Sequence, residues 1–523
     1  MASARDELFR MSATQMASLL ARGDVSSVDL ARAHLDRILA IDGSVRAFTA
    51  VLREQALSDA AALDHERRAG RVRGPLHGLP VSIKENIEIA GHASTLGTSQ
   101  RIEKRAASDA AIVTVLREAG AVILGRTNVP QVLLSAECRN PVFGQTANPW
   151  KLTHSPGGSS GGEGAALASG MSALGIGTDI GGSIRLPCHF DGVTGLKPTL
   201  DRWPMRGVIS AIPGQEAVRS QVGPMARTVA DIELLLRALD PRRMNALDPR
   251  VAPVPWTDPT SHSIRGMRIG VFTTDGLTQP SSAIVRAVER AAKALTDEGG
   301  DLVPYTPPRM PETFYDWLSI ASSDGAATLM AAIGSDPLDV TLQSTAKLAR
   351  LPSAIRATLV RAARIARSPR VANTVAALGR KPVEAYWALT ARIRETRTMV
   401  LDSMRDERID AILCPPFTTP AMPHETFTDF AIAASYTMFW NVLQFPAGVV
   451  PVTRVRPNET NRSRGRDRID RRAAAIDLAS ADLPVGVQVV TRPWDDERAV
   501  AVMATIERRV CEDEGYPRTP VDP

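Results

Sequence analysis

The sequence contains few of the residues that build disulfide frameworks, metal sites or membrane spans. Its 523 residues include four widely separated cysteines and eight histidines that lack metal-motif spacing. Spaced cysteines and histidines bind zinc, and paired cysteines stabilise secreted domains, so we predict no metal and no disulfide. No segment holds 18 uncharged apolar residues, and the N-terminal segment lacks an apolar signal core. We expect a cytoplasmic protein without a transmembrane helix or cofactor.

Lysine is also scarce, since only seven of the 62 basic residues are lysines. The net charge of +5 is too small to indicate a nucleic-acid partner. Arginine keeps its proton in proteins, whereas a buried lysine can lose it and act as a base. Lys84, which follows the apolar segment LPVSI, is the best-placed candidate base. A structural ion pair with a neighbouring carboxylate is the alternative role for this lysine.

Apolar segments with the character of strands alternate with segments that have helical periodicity. A helix followed by a strand is predicted at 108–130, and a strand, a helix and a second strand at 266–305. Further strands are predicted at 79–83, 411–415, 447–452 and 483–490. Such alternation indicates an α/β fold with a parallel or mixed sheet.

Glycine is concentrated in one segment, because 12 of the 37 glycines lie within 157–195. Here the sequence GTDIGGSIR places Ser183 directly after two glycines, which would let a substrate approach bare backbone N–H groups. A structural turn is the alternative. Upstream, Ser159 and Ser160 match G-x-S-x-G, but no apolar strand precedes them, so an α/β-hydrolase elbow is not predicted. Helix capping is the alternative role for these two serines.

Three motifs together with Lys84 resemble the amidase signature family. They are PGGSSGGEG (156–164), GTDIGGSIRLP (177–187) and GVTGLKPT (192–199). The lysine precedes Ser159 by 75 residues, and Ser159 precedes Ser183 by 24, as in the catalytic triad of that family. Segments such as SYTM (435–438) and FPAGVVPVT (445–453) further resemble its fatty acid amide hydrolase branch, so the likeness extends from about residue 75 to 505.

The resemblance implies an α/β fold with a large twisted mixed sheet surrounded by helices, in one domain over 1–523. Within it we expect N-terminal helices, a signature core with the triad, a helical cap and a flexible polar loop, at 1–74, 75–235, 307–408 and 454–482, respectively. The polar loop is also indicated by its arginine-rich, weakly apolar composition.

The resemblance also implies a Ser–Ser–Lys triad. Ser183 would attack the substrate carbonyl, Lys84 would act as base, and Ser159, after a cis Gly158–Ser159 bond, would relay the proton. The oxyanion hole would be formed by the backbone N–H groups of Ile180, Gly181, Gly182 and Ser183. The loop would be supported by Thr178, Asp179, Arg185 and Ser160, although Arg185 has substrate contact as its alternative. The acyl pocket would be lined by Leu133, Leu134 and Met438, unless these are ordinary core residues.

The sequence therefore predicts a cofactor-free serine hydrolase that cleaves the amide bond of an apolar N-acyl amine. An aryl-acylamide or carbamate hydrolase is the nearest alternative, because fold and triad do not determine the leaving group. An amidotransferase subunit is less favoured, since its relatives carry small residues where this chain has EGAAL.

A basic segment covers 340–383, which has nine basic and no acidic residues. On a helical wheel its middle part is amphipathic, with apolar residues on one arc and arginines on the other. Two interpretations remain open for 348–370: peripheral contact with the inner membrane surface, or an ordinary packed surface helix. Both a monomer and a homodimer also remain open.

Overall fold

The computed structural model describes residues 7–462, 465 and 467–523. In these ranges the strands are β1 Phe48–Val51, β2 Pro80–Lys84, β3 Val122–Thr127, β4 Arg139–Asn140, β5 Gly144–Gln145, β6 Leu174–Asp179, β7 Thr194–Lys197, β8 Gln221–Ala226, β9 Arg268–Val271, β10 Asp301–Pro304, β11 Ala411–Cys414, β12 Ala447–Arg454 and β13 Pro484–Thr491. Strands β4 and β5 form a separate two-stranded ribbon.

The other described strands form one 11-stranded sheet in the order β1-β3-β2-β6-β8-β7-β12-β13-β11-β9-β10. At one side β2 pairs in parallel with β3 and β6, and at the other side β9 pairs in parallel with β10 and β11. The strands from β6 through β8, β7, β12 and β13 to β11 pair antiparallel. The predicted α/β fold with a large mixed sheet is confirmed.

Helices surround this sheet. Over the described residues the α-helices are α1 Ala13–Arg22, α2 Ser27–Val45, α3 Arg53–Arg68, α4 Ala111–Glu118, α5 Gly161–Ala168, α6 Arg185–Asp191, α7 Val229–Ala238, α8 Pro241–Leu247, α9 Ser282–Asp297, α10 Met310–Ala321, α11 Ala327–Ile333, α12 Val340–Arg350, α13 Ser353–Ile365, α14 Pro369–Ala377, α15 Val383–Asp406, α16 Ser435–Leu443, α17 Arg468–Leu478 and α18 Asp496–Val510. None of them, within the described chain, has both the length and the apolar character that a bilayer crossing requires.

Local sequence explains why these elements form. Helix α9 begins after Ser281, whose side chain accepts a hydrogen bond from the Ile284 N–H group and so caps the helix. Every residue of β2 (PVSIK) and β6 (LGIGTD) is buried, including the polar residues at the carboxyl end of each strand. These two strands therefore lie within the core.

One of the two helical segments, 1–74, has more structure than its sequence indicated. The segment 1–74 contains the expected helices α1, α2 and α3, and in addition the short strand β1, which pairs with β3 at the sheet edge. The segment 307–408 is built from the consecutive helices α10 to α15.

The prediction of a flexible polar loop at 454–482 is wrong where helix α17 forms, at Arg468–Leu478. Strand β12 ends at Arg454, and helix α17 follows after Asp467, whose side chain accepts from the Asp470 N–H group. The apolar residues Ile469, Ala473 and Ile476 are spaced for one helix face and are buried. Three residues of the segment (463, 464 and 466) lie outside the described chain.

Candidate active site

Lys84 is the last residue of β2, and its side chain is fully buried. Its Nζ lies 2.7 Å from Ser159 Oγ and also donates to Thr178 Oγ1 at 2.8 Å and Thr178 O at 3.2 Å. Burial lowers the pKa of Lys84 to about 7, although the negative charge of Asp179 opposes this. A neutral amine has two N–H groups and one lone pair, so the two bonds to Thr178 leave the lone pair for the Ser159 hydroxyl. The three oxygen atoms within hydrogen-bond distance of Nζ belong to hydroxyl and carbonyl groups, so these contacts are not those of an ion pair with a carboxylate.

Ser159 and Ser160 precede helix α5, and both are buried. The Gly158–Ser159 peptide bond is cis, as the resemblance implies. A Cβ atom at Gly158 would clash with the carbonyl oxygen of Ser135, so the backbone here requires glycine. Ser160 occupies the N-cap position of α5 but makes no side-chain capping bond; instead its Oγ donates to Thr178 O at 3.3 Å. The capping interpretation is therefore wrong for Ser160, whose hydroxyl contacts β6 instead.

Ser183 lies in the loop between β6 and α6, with 8% of its surface exposed. Its carbonyl oxygen accepts from the Ser160 N–H group at 3.0 Å, which holds the two serine segments together. The side chains of Ser159 and Ser183 line one small cavity. Within the described residues the Lys84–Ser159 contact is formed, whereas no direct hydrogen bond links the two serine hydroxyls. Catalytic hydrogen bonds of unliganded enzymes are often long and shorten when substrate binds.

In the predicted oxyanion loop, fewer backbone N–H groups are unoccupied than the sequence indicated. The Gly182 N–H group donates to Asp179 Oδ1 at 2.8 Å, so it is already occupied by protein. Among the described residues no acceptor faces the N–H groups of Ile180, Gly181 and Ser183. Within the described chain, the N–H groups of Ile180, Gly181 and Ser183 thus have no protein acceptor, whereas that of Gly182 is hydrogen-bonded to Asp179.

The two glycines of this loop are required for close packing. Gly182 has φ +120°, and a Cβ atom there would clash with Thr437 Oγ1. A Cβ atom at Gly181 would lie 3.3 Å from the Trp317 ring, which is a tight contact. Any larger residue would therefore displace the loop from the side chains that hold it.

Asp179 and Arg185 form a fully buried, bidentate ion pair that braces the loop. Arg185 also donates to Gln488 Oε1 at 2.7 Å and to Asn441 Oδ1 at 2.6 Å. Burial favours the protonated acid at Asp179, but Arg185 outweighs it and holds the pKa of that carboxyl below its usual range. The structure thus gives Arg185 the bracing role and leaves no part of it exposed to a substrate.

Two cavities meet at Ser183. The larger one, of about 130 Å³, is mostly apolar, and its wall includes the predicted residues Leu133, Leu134 and Met438. Helices α10 and α12 complete this wall with Trp317, Leu318, Leu342, Ala346 and Ala349. The smaller one, of about 30 Å³, is also lined mainly by apolar groups, and its polar residues include Asn86, Thr178, Ser210 and Ser220. Ser183 therefore lines a larger and a smaller cavity, both of them mainly apolar.

Four residues that contact the site were not predicted from the sequence: Asn86, Trp317, Asn441 and Gln488. None lies in the three glycine- and serine-rich motifs, and Trp317 lies in the helical segment 307–408. Asn86 was the easiest to find, since it follows Lys84 by two residues in SIKEN. In the described ranges no group of three or more His, Cys, Asp or Glu side chains is placed to hold a metal ion.

The comparisons with known proteins agree with this geometry. Residues 29–500 match the amidase family. The chain is 39% identical over 443 residues to fatty-acid amide hydrolase 1 of Sus scrofa, covering 83% of this chain and 76% of that protein. It is 32% identical over 510 residues to fatty acid amide hydrolase 1 of Caenorhabditis elegans, covering 96% and 89%. A solved structure of a fatty acid amide hydrolase superposes with TM-score 0.85 at 26% identity, covering 98% of this chain and 87% of that chain.

The chain belongs to the amidase signature family. It is an amide-hydrolysing enzyme, and it is similar to fatty acid amide hydrolases in sequence and in fold.

Proposed function

We propose that this enzyme hydrolyses N-acyl amines with an apolar acyl chain through the triad Ser183, Ser159 and Lys84. The observation that carries the proposal is the buried Lys84 amine, 2.7 Å from Ser159 Oγ, because Ser159 shares a small cavity with Ser183, and Ser183 also lines a larger apolar cavity. Serine attack requires a hydroxyl, a base and oxyanion donors, and this region holds a candidate for each.

In the proposed reaction, Ser183 Oγ bonds to the substrate carbonyl carbon, and its proton passes to Ser159, whose own proton moves to Lys84 Nζ. The carbonyl oxygen becomes an oxyanion that accepts from the free backbone N–H groups of Ile180, Gly181 and Ser183. The C–N bond then breaks, Ser159 gives a proton to the leaving amine, and Lys84 returns one to Ser159. Water repeats the sequence on the acyl-enzyme, which releases the carboxylic acid and restores Ser183.

Covalent labelling tests the nucleophile. A fluorophosphonate probe should modify Ser183 in the folded enzyme, and peptide mapping should locate the adduct. Labelling should vanish in Ser183→Ala and become at least 100-fold slower in Lys84→Ala, because the base no longer activates the serine chain. An adduct on another serine, or unchanged labelling of Lys84→Ala, would contradict the proposed triad.

The apolar cavity supports an apolar acyl group on the substrate. Its walls come from β-sheet loops and from helices α10 and α12, and they present mostly aliphatic carbon. Because each buried methylene contributes about 0.8 kcal/mol, kcat/KM should rise with acyl length until the cavity is full. A panel that varies the acyl chain from acetyl to oleoyl against one amine measures this. A flat profile over the panel would contradict the assignment of the cavity to the acyl chain.

We also propose that helix α13 contacts an anionic lipid surface. No residue of α13 is buried: Ile365 is 84% exposed, and Ile355 and Leu359 are 48% and 39% exposed. A packed surface helix would bury such a stripe, so the exposure favours the membrane interpretation of 348–370. The exposed Arg361 and Arg364 add positive charge. Helix α12, which lines the acyl cavity, leads directly into α13.

Co-sedimentation with vesicles tests this contact. The enzyme should pellet with phosphatidylglycerol-containing vesicles at low salt and be released by concentrated salt. The variant Ile355→Ser/Ile365→Ser should pellet less, whereas Leu39→Ser, which removes a similarly exposed leucine on α2, should pellet like the parent. Equal pelleting of all three proteins would contradict the role of α13.

A further inference from the structure

The loop that carries Ser183 is anchored through its carbonyl groups. The carbonyl oxygen of Asp179 accepts from Asn441 Nδ2 at 3.3 Å, that of Gly181 from Thr437 Oγ1 at 2.8 Å, and that of Gly182 from the Leu186 N–H group at 2.7 Å. The carbonyl oxygen of Ile180 accepts from the indole Nε1–H of Trp317 at 3.0 Å. Each carbonyl from 179 to 182 thus has a protein partner.

These anchors determine where the N–H groups point. A peptide unit is planar and trans, so its C=O and N–H groups face opposite directions. Fixing the Ile180 carbonyl therefore fixes the Gly181 N–H group, which has no protein acceptor among the described residues. The next peptide unit differs, because its N–H group, on Gly182, donates to Asp179. Gly181 is consequently the glycine whose N–H group depends on the Trp317 bond.

Trp317 itself is firmly placed. It lies on α10, is 8% exposed and belongs to the wall of the apolar cavity. The preceding residue, Asp316, forms an ion pair with Arg392 of α15, which fixes α10 against the neighbouring helix. The indole ring lies close to Gly181, where an added Cβ atom would be 3.3 Å from the ring, a tight contact.

We propose that Trp317 is a positioning residue for the oxyanion hole: its indole N–H aligns the Gly181 N–H with the developing oxyanion. This inference rests on the proposed nucleophile Ser183 and adds a residue from the helical segment 307–408 to the machinery of the site. Removing one oxyanion donor outright costs about 10²–10³ in rate, and misaligning one should cost less. We expect a loss in kcat of about 10-fold to 100-fold with little change in KM.

The test replaces the indole N–H while keeping the ring. Incorporation of 3-benzothienylalanine at position 317 exchanges N–H for sulfur in a ring of nearly equal shape, and Trp317→Phe is the simpler second variant. Trp203→Phe is the matched control, because Trp203 is fully buried and its Nε1–H has no acceptor among the described residues. The control should lose stability but keep kcat within about two-fold.

A transition-state analogue separates positioning from simple packing. A trifluoromethyl ketone with the substrate's acyl chain adds to Ser183 to give a tetrahedral oxyanion, so its inhibition constant reports the oxyanion hole directly. In the benzothienyl variant this constant should rise by the same factor by which kcat/KM falls, while KM stays constant.

Three results decide the matter. Matching losses in kcat/KM and in inhibitor affinity at constant KM support the proposal. A benzothienyl variant with parental kcat and parental inhibitor affinity overturns it, and so does a loss confined to KM. The parent is labelled with fluorophosphonate in parallel: absence of a Ser183 adduct in the parent would contradict the proposed function itself, whereas equal labelling of parent and variant would contradict only the role of Trp317.

Discussion

Lys84 and Lys197 are two fully buried lysines, each the last residue of a strand in the same sheet. Burial lowers the pKa of both to about 7. Their contacts differ: Lys84 meets the hydroxyls of Ser159 and Thr178, whereas Lys197 donates to the carbonyl oxygen of Pro198 at 3.0 Å. A lowered pKa therefore does not by itself identify a catalytic base. The group that receives or supplies the proton must also be in contact.

The largest expected effect separates the two lysines directly. Lys84→Met should lower kcat for an amide by about 10³–10⁴, because the proton acceptor of the serine chain is lost. Steady-state hydrolysis of an oleoyl amide measures this, with circular dichroism to show that the variant is folded. Near-parental turnover by folded Lys84→Met would contradict the role of Lys84 as the catalytic base.

A second test concerns the loop that carries Ser183. This loop follows β6, whose residue Thr178 is a hydrogen-bond partner of Lys84. Gly182→Ala should lower kcat by about 100-fold, because the new Cβ would clash with Thr437 Oγ1 and displace the loop. Gly23→Ala is the control: Gly23 has φ +76°, and a Cβ atom there would meet no other atom within 4 Å. The control should lose stability from backbone strain while keeping its activity. Equal activity of the two variants would show that the loop tolerates the displacement.

The pH dependence shows which amine titrates in catalysis. Protonation of Lys84 removes its lone pair, so kcat/KM should fall about 10-fold per pH unit as the pH drops below about 7. Lys197→Met should keep this midpoint within about 0.5 unit, since Lys197 lies outside the serine chain. A profile from acidic to alkaline pH for parent and variant is sufficient. A shift of more than this in the pH midpoint of kcat/KM for Lys197→Met would indicate that Lys197 takes part in the reaction.

The smallest effect on turnover is expected for Lys197→Met, which should keep kcat within about three-fold. Its effect on stability has a defined sign. Because the folded-state pKa is lowered to about 7, the unfolded chain binds more protons between that pKa and the ordinary lysine value, and parental stability rises with pH through this window. Below this window, burying Lys197 destabilises the folded state, because the amine must lose its proton or be buried with its charge. Methionine carries no charge, so the gain in Tm on substitution should be larger at about pH 6 than at about pH 9. A gain that grows with pH would contradict the assignment.

Much of this fold could be predicted from the sequence because its central strands are buried on both faces. The apolar segments 79–83, 411–415 and 483–490 lie in or beside β2, β11 and β13. Helix α17 was missed, since its buried residues Ile469, Ala473 and Ile476 are sparse among charges. Strand β1 is short and lies at the sheet edge, so its sequence carries a weak signal.

The residues of the candidate site also fall into those that the sequence predicted and those that it did not. Lys84, Ser159 and Ser183 were predicted because they lie in contiguous motifs. Trp317 and Asn441 were not, since their partners lie 137 and 262 residues away in the chain, and no local pattern encodes such contacts. For the Gly182 N–H group, the motif predicts a donor for the substrate. Only the structure shows that this N–H group already donates to Asp179.

The burial of the Asp179–Arg185 pair has a consequence for how the enzyme responds to ionic strength. Neither side chain has any exposed surface, so dissolved ions cannot come between the two charges. Dissolved salt should therefore not weaken this pair, and turnover of a water-soluble amide should not change with ionic strength through it.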